Sequence, residues 1–278
     1  MYADDLQIYT HFNIKDLNLG VDLVNSDISN LVQWTVKHGL KINPNKTKPI
    51  IMCTSRLRNT INLDHVHGIT VDGNLLPYYD EVKNLGLTMN CNLNWTNAVT
   101  ETYNKVFAGI HTLKKMQNFL PLNIKLLLIK TLIFPYFNYC NSVINDMHVT
   151  LAEKLQRSQN YCLRFVYDLR RDDHITPSFI RSNILKLEDC RCIKILSLLH
   201  SIINSGLPKY FSDTFQFISQ QSVRESRLGS SLLRVPQHRT VIFNKSFIVT
   251  ACRLWNSLPT ALTSIESRPR FVASLKQY

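Results

Sequence analysis

The chain has 278 residues, 45% of them apolar, with only 8 glycines and 10 prolines; it is long and apolar enough for two domains and is not a low-complexity polymer. Its formal charge of +12 is unevenly spread: residues 1–150 hold 13 Lys/Arg against 11 Asp/Glu, and residues 151–278 hold 19 against 9. A near-neutral half joined to a basic half points to a polyanionic partner, nucleic acid first, or else to a basic surface that only confers solubility.

In chain order, Tyr2-Ala3-Asp4-Asp5 comes first, followed by apolar Leu6, Ile8 and Tyr9. The pattern predicts a tight turn between two strands with two carboxylates at its tip. Adjacent carboxylates repel unless cations sit between them. Magnesium suits them, being held by one or two carboxylates plus substrate phosphates. Two such ions about 4 Å apart can activate a hydroxyl and stabilise a leaving oxygen. Asp-Asp pairs are also common in turns and helix starts.

Leu17, Val21, Val24, Ile28 and Leu31, continued by Trp34, predict an amphipathic helix, with Gly39 as its C-cap. Short strands are expected at Leu40–Ile42 and 49–53, separated by the turn Asn43-Pro44-Asn45-Lys46. Val71-Asp72-Gly73-Asn74 predicts a hairpin turn. Residues 82–89 predict one strand with Gly86 inside it, which marks close approach of a backbone or ligand.

Beyond Trp95 the spacing turns helical. Val99, Tyr103, Val106, Ile110 and Leu113 form one run; a second starts at Pro121, a third follows Pro135, and a fourth starts at Leu151. The fourth sets Leu151, Leu155, Cys162 and Val166 on one side and Lys154, Arg157, Tyr161 and Arg164 on another. The second set can hold phosphates and stack a base, or be a solvated helix face. Residues 219–227 read as a flexible linker, and Phe247, Ala251, Leu254, Trp255 and Leu258 as a final helix.

Seven cysteines lie at irregular spacing without a secretory signal, so a reducing cell interior, nucleus or cytoplasm, is the expected setting. Cys190 and Cys192 lack zinc-site spacing and read as buried helix cysteines. No membrane span is expected, because the stretch 126–137 is broken by Lys130 and Pro135 and falls short of about 20 residues. The predicted class is α+β: a small antiparallel sheet with a helix, then a mainly helical region.

The order of motifs resembles the C-terminal portion of the reverse transcriptase of a non-LTR retrotransposon, of the jockey-like kind. Tyr2-Ala3-Asp4-Asp5 resembles the family's catalytic turn. Gly39-Leu40-Lys41-Ile42-Asn43-Pro44-Asn45-Lys46-Thr47-Lys48 resembles the next palm motif, and Val82-Lys83-Asn84-Leu85-Gly86-Leu87 the primer-grip strand. Leu155-Gln156-Arg157-Ser158-Gln159-Asn160 with Arg164 resembles the helix beyond the thumb. Trp255-Asn256-Ser257-Leu258-Pro259 resembles a signature near the family's C-terminus.

The resemblance implies a partial palm at 1–95, a helical thumb at 96–150 and a basic, mainly helical region at 151–278. It implies RNA-directed DNA polymerase chemistry with two Mg2+ ions, an RNA template, a DNA primer and deoxynucleotide triphosphates. Asp4 and Asp5 match two of three catalytic acids, with Asp4 the main metal ligand. Lys46 matches a lysine that approaches the triphosphate and protonates the pyrophosphate, or is a plain turn lysine. Lys83, Leu85 and Gly86 match the segment that holds the primer end, or are a core strand with a glycine bulge. Trp255 is expected to anchor a core.

The family's third aspartate and its fingers have no match here. Little polymerase activity is therefore expected of the isolated chain, as is an unpaired, partly apolar sheet edge near residues 1–10. Two further readings stay open: a non-catalytic nucleic-acid-binding module, and a decayed element fragment with no selected role.

Overall fold

The structure is a computed structural model that describes residues 5–218 and 232–278. The chain divides into two units, Met1–Ala98 and Val99–Tyr278, with the boundary inside one helix. The class is α+β, with two small antiparallel hairpins confined to the first unit.

In the first unit a 3-10 turn at Ile14–Asp16 leads into α1, Leu17–Lys37. Leu17, Val21 and Ile28 are buried, Val24 and Val32 partly so, and the stripe ends on buried Thr35. Trp34 departs from the expected stripe. It is 52% exposed and stacks on His38, with ring centroids 4.3 Å apart. At about 100° per residue, the position one turn beyond Ile28 and Leu31 falls at Thr35 rather than Trp34.

Gly39 ends α1 as expected. Its φ is +68°, Leu40 N–H donates to the Thr35 carbonyl at 2.8 Å, and Gly39 N–H donates to Val36 at 3.1 Å. This is a Schellman cap, which needs a left-handed residue just past the helix. No atom would meet a Cβ at Gly39, so Gly39→Ala carries only the backbone cost, about 1 kcal/mol. The expected result is faster amide exchange through the last turn of α1, read by hydrogen exchange.

The segments expected as strands at Leu40–Ile42 and 49–53 have no ladder. The second is held by single bonds, Tyr79 N–H to the Pro49 carbonyl and Cys53 N–H to the Cys91 carbonyl, and the first by the Leu40 bond to Thr35 alone. Between them Asn43 nucleates the 3-10 turn Pro44–Lys46, its side chain accepting from Asn45 N–H at 3.0 Å. A short helix, α2 (Ser55–Arg58), and a 3-10 turn, Leu63–His65, follow.

The first hairpin pairs β1 (Ile69–Val71) with β2 (Asn74–Leu76) in the register Val71↔Asn74. Asp72 and Gly73 both have positive φ, as a two-residue type I′ turn requires. α1 packs on β1, and Ile69, Val71 and Leu76 join the α1 stripe in one core. Asn18 and Asn25, two turns apart on α1, act as surrogate strand. Asn25 donates to the Gly68 carbonyl and accepts from Thr70 N–H; Asn18 does the same for His65 and His67.

Residues 82–89 are not one strand. They form a second hairpin, β3 (Glu81–Asn84) with β4 (Leu87–Asn90), turning at Leu85-Gly86 with φ of 45° and 80°. Gly86 is present for its left-handed backbone, and its partner Leu85 shares the turn.

α3 (Thr96–Lys114) begins in the first unit and continues into the second, where Val99, Val106 and Ile110 are fully buried. α4 (Leu122–Leu128) runs into a π turn, Ile129–Ile133, and then into α5 (Phe134–Asn138). Pro135 explains the π turn: it has no N–H for the Thr131 carbonyl, and the helix widens just before it.

α6 (Val149–Val166) buries Leu155, Cys162, Leu163 and Val166. Then come α7 (Thr176–Ser182), α8 (Leu187–Ser205) and the short α9 (Lys209–Ser212). After residue 232 come α10 (Val241–Asn244), α11 (Phe247–Asn256), α12 (Thr260–Thr263) and α13 (Arg268–Leu275). The linker expected at 219–227 lies outside the described residues.

α8, α11 and α13 share a core in which Trp255 is 3% exposed, as expected of it, beside Phe271, Leu199 and Cys252. The Trp255–Pro259 motif ties this core together. Asn256 exchanges two hydrogen bonds of 2.8 Å with the backbone of Leu233, Leu258 packs against the core, and Pro259 precedes α12.

Candidate nucleic-acid interface

The first unit carries six of the residues singled out from sequence. Asp4 lies outside the described residues; Asp5 is exposed at an isolated bridge. Residues 6–13 have no regular structure, so the strand expected there is absent and no strand edge is exposed at 6–13. The segment is tethered instead by Phe12, whose ring lies where a Cβ on Gly20 would sit, while Leu6, Ile8 and Tyr9 stay exposed.

Lys46 is exposed on the turn that Asn43 builds. Beside it, Lys41, Asn45, Thr47, Asp72, Asn74 and Tyr79 line part of a polar concavity of about 430 Å3. Lys46 itself is not in that lining. Lys83 is exposed on β3, and Leu85 and Gly86 are exposed at the hairpin tip.

Among the described residues no three His, Cys, Asp or Glu side chains converge to hold a metal. Among the same residues no helix is long and apolar enough to cross a membrane. All seven cysteines are free thiols, and burial pushes Cys162 up to about 12 and Cys252 to about 11.

The second unit gathers side chains more tightly. Along α3, Tyr103 and Phe107 are one turn apart and stack with centroids 5.4 Å apart. Phe107 in turn stacks on Tyr161 of α6 at 5.0 Å with planes only 2° from parallel. Lys154 Nζ sits over the Tyr103 ring, 4.9 Å from its centroid, and donates to Thr100 Oγ1 at 3.2 Å. Lys114 Nζ sits 4.5 Å over Tyr161. The result is a ladder: lysine, three rings, lysine.

Tyr103, Tyr161 and Lys154 are half-buried, Phe107 is 40% exposed and Lys114 is exposed, so solvent reaches the ladder along its length. Each ring pair contributes about 0.5–1.5 kcal/mol beyond its burial. Each exposed cation–π contact contributes about 0.5–1 kcal/mol.

The other two basic residues of the α6 face behave differently. Arg157 pairs with Glu153 one turn away at 2.9 Å, an exposed ion pair worth little and open to exchange. Arg164 departs from the expectation of a phosphate ligand beside Tyr161. Its Nη1 donates to the carbonyls of Arg170 at 2.6 Å and Asp173 at 2.9 Å, pinning the loop after α6. A guanidinium carries several donors in a fixed fork, so one side chain can hold two loop carbonyls at once.

Gln156 is also structural: its Oε1 accepts from Leu187 N–H at 3.1 Å, in the first turn of α8. Sequence reasoning joined Lys154 to Tyr161 but missed Phe107 and Lys114, and it treated Tyr103 as a core position. The signal was an aromatic pair at i, i+4 followed by a lysine one helical turn past Ile110. Comparisons with protein-family models, with curated proteins and with solved structures return no significant match.

Proposed function

We propose that this chain is a nucleic-acid-handling protein of the non-LTR retrotransposon reverse-transcriptase kind, working on an RNA template and a DNA primer. The observation that carries the nucleic-acid part is the lysine-capped aromatic ladder of α3 and α6, whose cations and rings suit phosphates and bases together. The polymerase part rests on the ordered motifs from Tyr2 to Pro259, with Asp4 and Asp5 as Mg2+ ligands and nucleotide triphosphates as substrates.

A second reading, a binding module without catalysis, is favoured by the same ladder, because its residues all lie in the second unit and involve neither acid. Binding is expected to weaken with salt. Three phosphate contacts on a single strand give a log–log slope of about −2. Charge reversal at Lys114, Lys154 and Arg157 should flatten that slope, measured by fluorescence anisotropy across a salt series. An unchanged slope would remove the ladder from the interface. Primer extension on an RNA template with Mg2+ and nucleotides separates the two readings: extension that Asp5→Ala abolishes assigns catalysis, and binding without extension leaves the module.

A further inference from the structure

We propose that the Tyr103–Phe107–Tyr161 ladder is a stacking platform for unpaired bases, on which a base displaces the lysine from an outer ring and the freed ammonium takes a phosphate. This rests on the nucleic-acid reading above and specifies its ligand: single-stranded nucleic acid, bound with little regard to sequence.

The geometry carries the inference in three steps. First, the inner faces of the rings are occupied by one another, since Phe107 lies between Tyr103 and Tyr161. That leaves the outer faces of Tyr103 and Tyr161 for a ligand, and a lysine ammonium lies over each of these two rings. Second, an exposed ammonium over a ring is held more weakly than a base stacked on a tyrosine. Lys154 and Lys114 have flexible four-carbon stems, so each can leave the ring and stay within reach of it. A strand that supplies base and phosphate together satisfies the ring and the lysine at once.

Third, a duplex cannot make the exchange. Its bases are stacked on each other and present only edges, whereas an unpaired base presents its face. Every base has such a face, so the platform has no means of choosing among sequences. Glu153, the one acidic side chain of α6, pairs with Arg157 rather than with a ladder lysine.

The test compares three probes on the full chain by fluorescence anisotropy at low salt: an oligouridylate, an abasic strand of equal length and phosphate number, and a blunt duplex. The unmodified protein is expected to bind the oligouridylate about tenfold more tightly than the abasic strand, as one stacked base implies. Tyr161→Leu, which keeps an apolar side chain on α6, should bring the oligouridylate down to the abasic affinity. Lys114→Gln with Lys154→Gln should weaken both strands and leave their ratio in place.

Equal binding of the first two probes by the unmodified chain overturns the platform and leaves a phosphate-only interface; this comparison needs no variant and so no assumption about folding. Tighter binding of the duplex than of the oligouridylate also overturns it. Binding of none of the probes removes the nucleic-acid reading itself.

Discussion

Trp255→Ala is expected to destabilise the second unit by about 3–5 kcal/mol, while Trp34→Ala costs under about 0.5 kcal/mol. Both tryptophans continue an apolar helical spacing in the sequence and look alike there. Trp255 is 3% exposed, packed with its centroid 6.0 Å from Phe271 and 6.5 Å from His200, among residues from α8, α11 and α13. Removing the indole opens a cavity where three helices meet, and helices cannot collapse into it without losing their other contacts. Trp34 is 52% exposed, so alanine there opens no cavity. Hydrogen exchange at the amides of α8 and α11 reads the first loss, and circular dichroism against urea reads both. A Trp255→Ala protein with native protection in α8 would contradict the assignment of this core.

Asp168→Asn is expected to cost about 3 kcal/mol, the second largest effect. Lys125 on α4 is 4% exposed, and its Nζ donates to both carboxylate oxygens of Asp168 at 2.8 Å. Gln117 donates to the same carboxylate at 2.5 Å. Asparagine removes the charge and leaves a buried ammonium without a counter-ion, which is the costly way to break such a pair. The outer face of Asp168 is about half exposed, so solvent offsets part of the loss. Asparagine is the right probe because Asp168 has a φ of 51°, which asparagine tolerates and alanine does not. Adding Lys125→Met should recover most of the stability, since an unbranched apolar chain fills the same channel beside Phe165. Thermal melts of the single and double variants give the coupling. Failure of methionine to rescue would show that the pair is held by something other than its charges.

Period and turn chemistry were readable from residues alone where the chain talks to itself locally. The Gly39 cap, the Asp72-Gly73 turn and the helical runs from Val99, Pro121 and Leu151 all appear where spacing put them. The glycine in 82–89 was noticed but misassigned. Leu85 carries a large apolar side chain into the left-handed region, and nothing in its neighbours announces that. The strands expected at 40–42 and 49–53 fail for a related reason: a strand exists only when a partner offers a ladder, and here single backbone bonds, Leu40 to Thr35, Tyr79 to Pro49 and Cys53 to Cys91, stand in its place.

The candidate site divides along the same line. Lys154 and Tyr161 share a face of one helix, so their spacing in the chain was enough to pair them. Phe107 and Lys114 belong to another helix more than thirty positions away, and only the packing of α3 against α6 brings their rings and cations into register. Arg164 had the spacing of a ligand and went instead to the carbonyls of the loop that follows α6. Residue order thus dictated the helices, the turns and the basic bias of the second half, because those depend on neighbours within a few positions. Tertiary packing decided which aromatic faces stack, which tryptophan is buried and which lysines lie over rings, because each depends on a surface supplied from elsewhere in the chain.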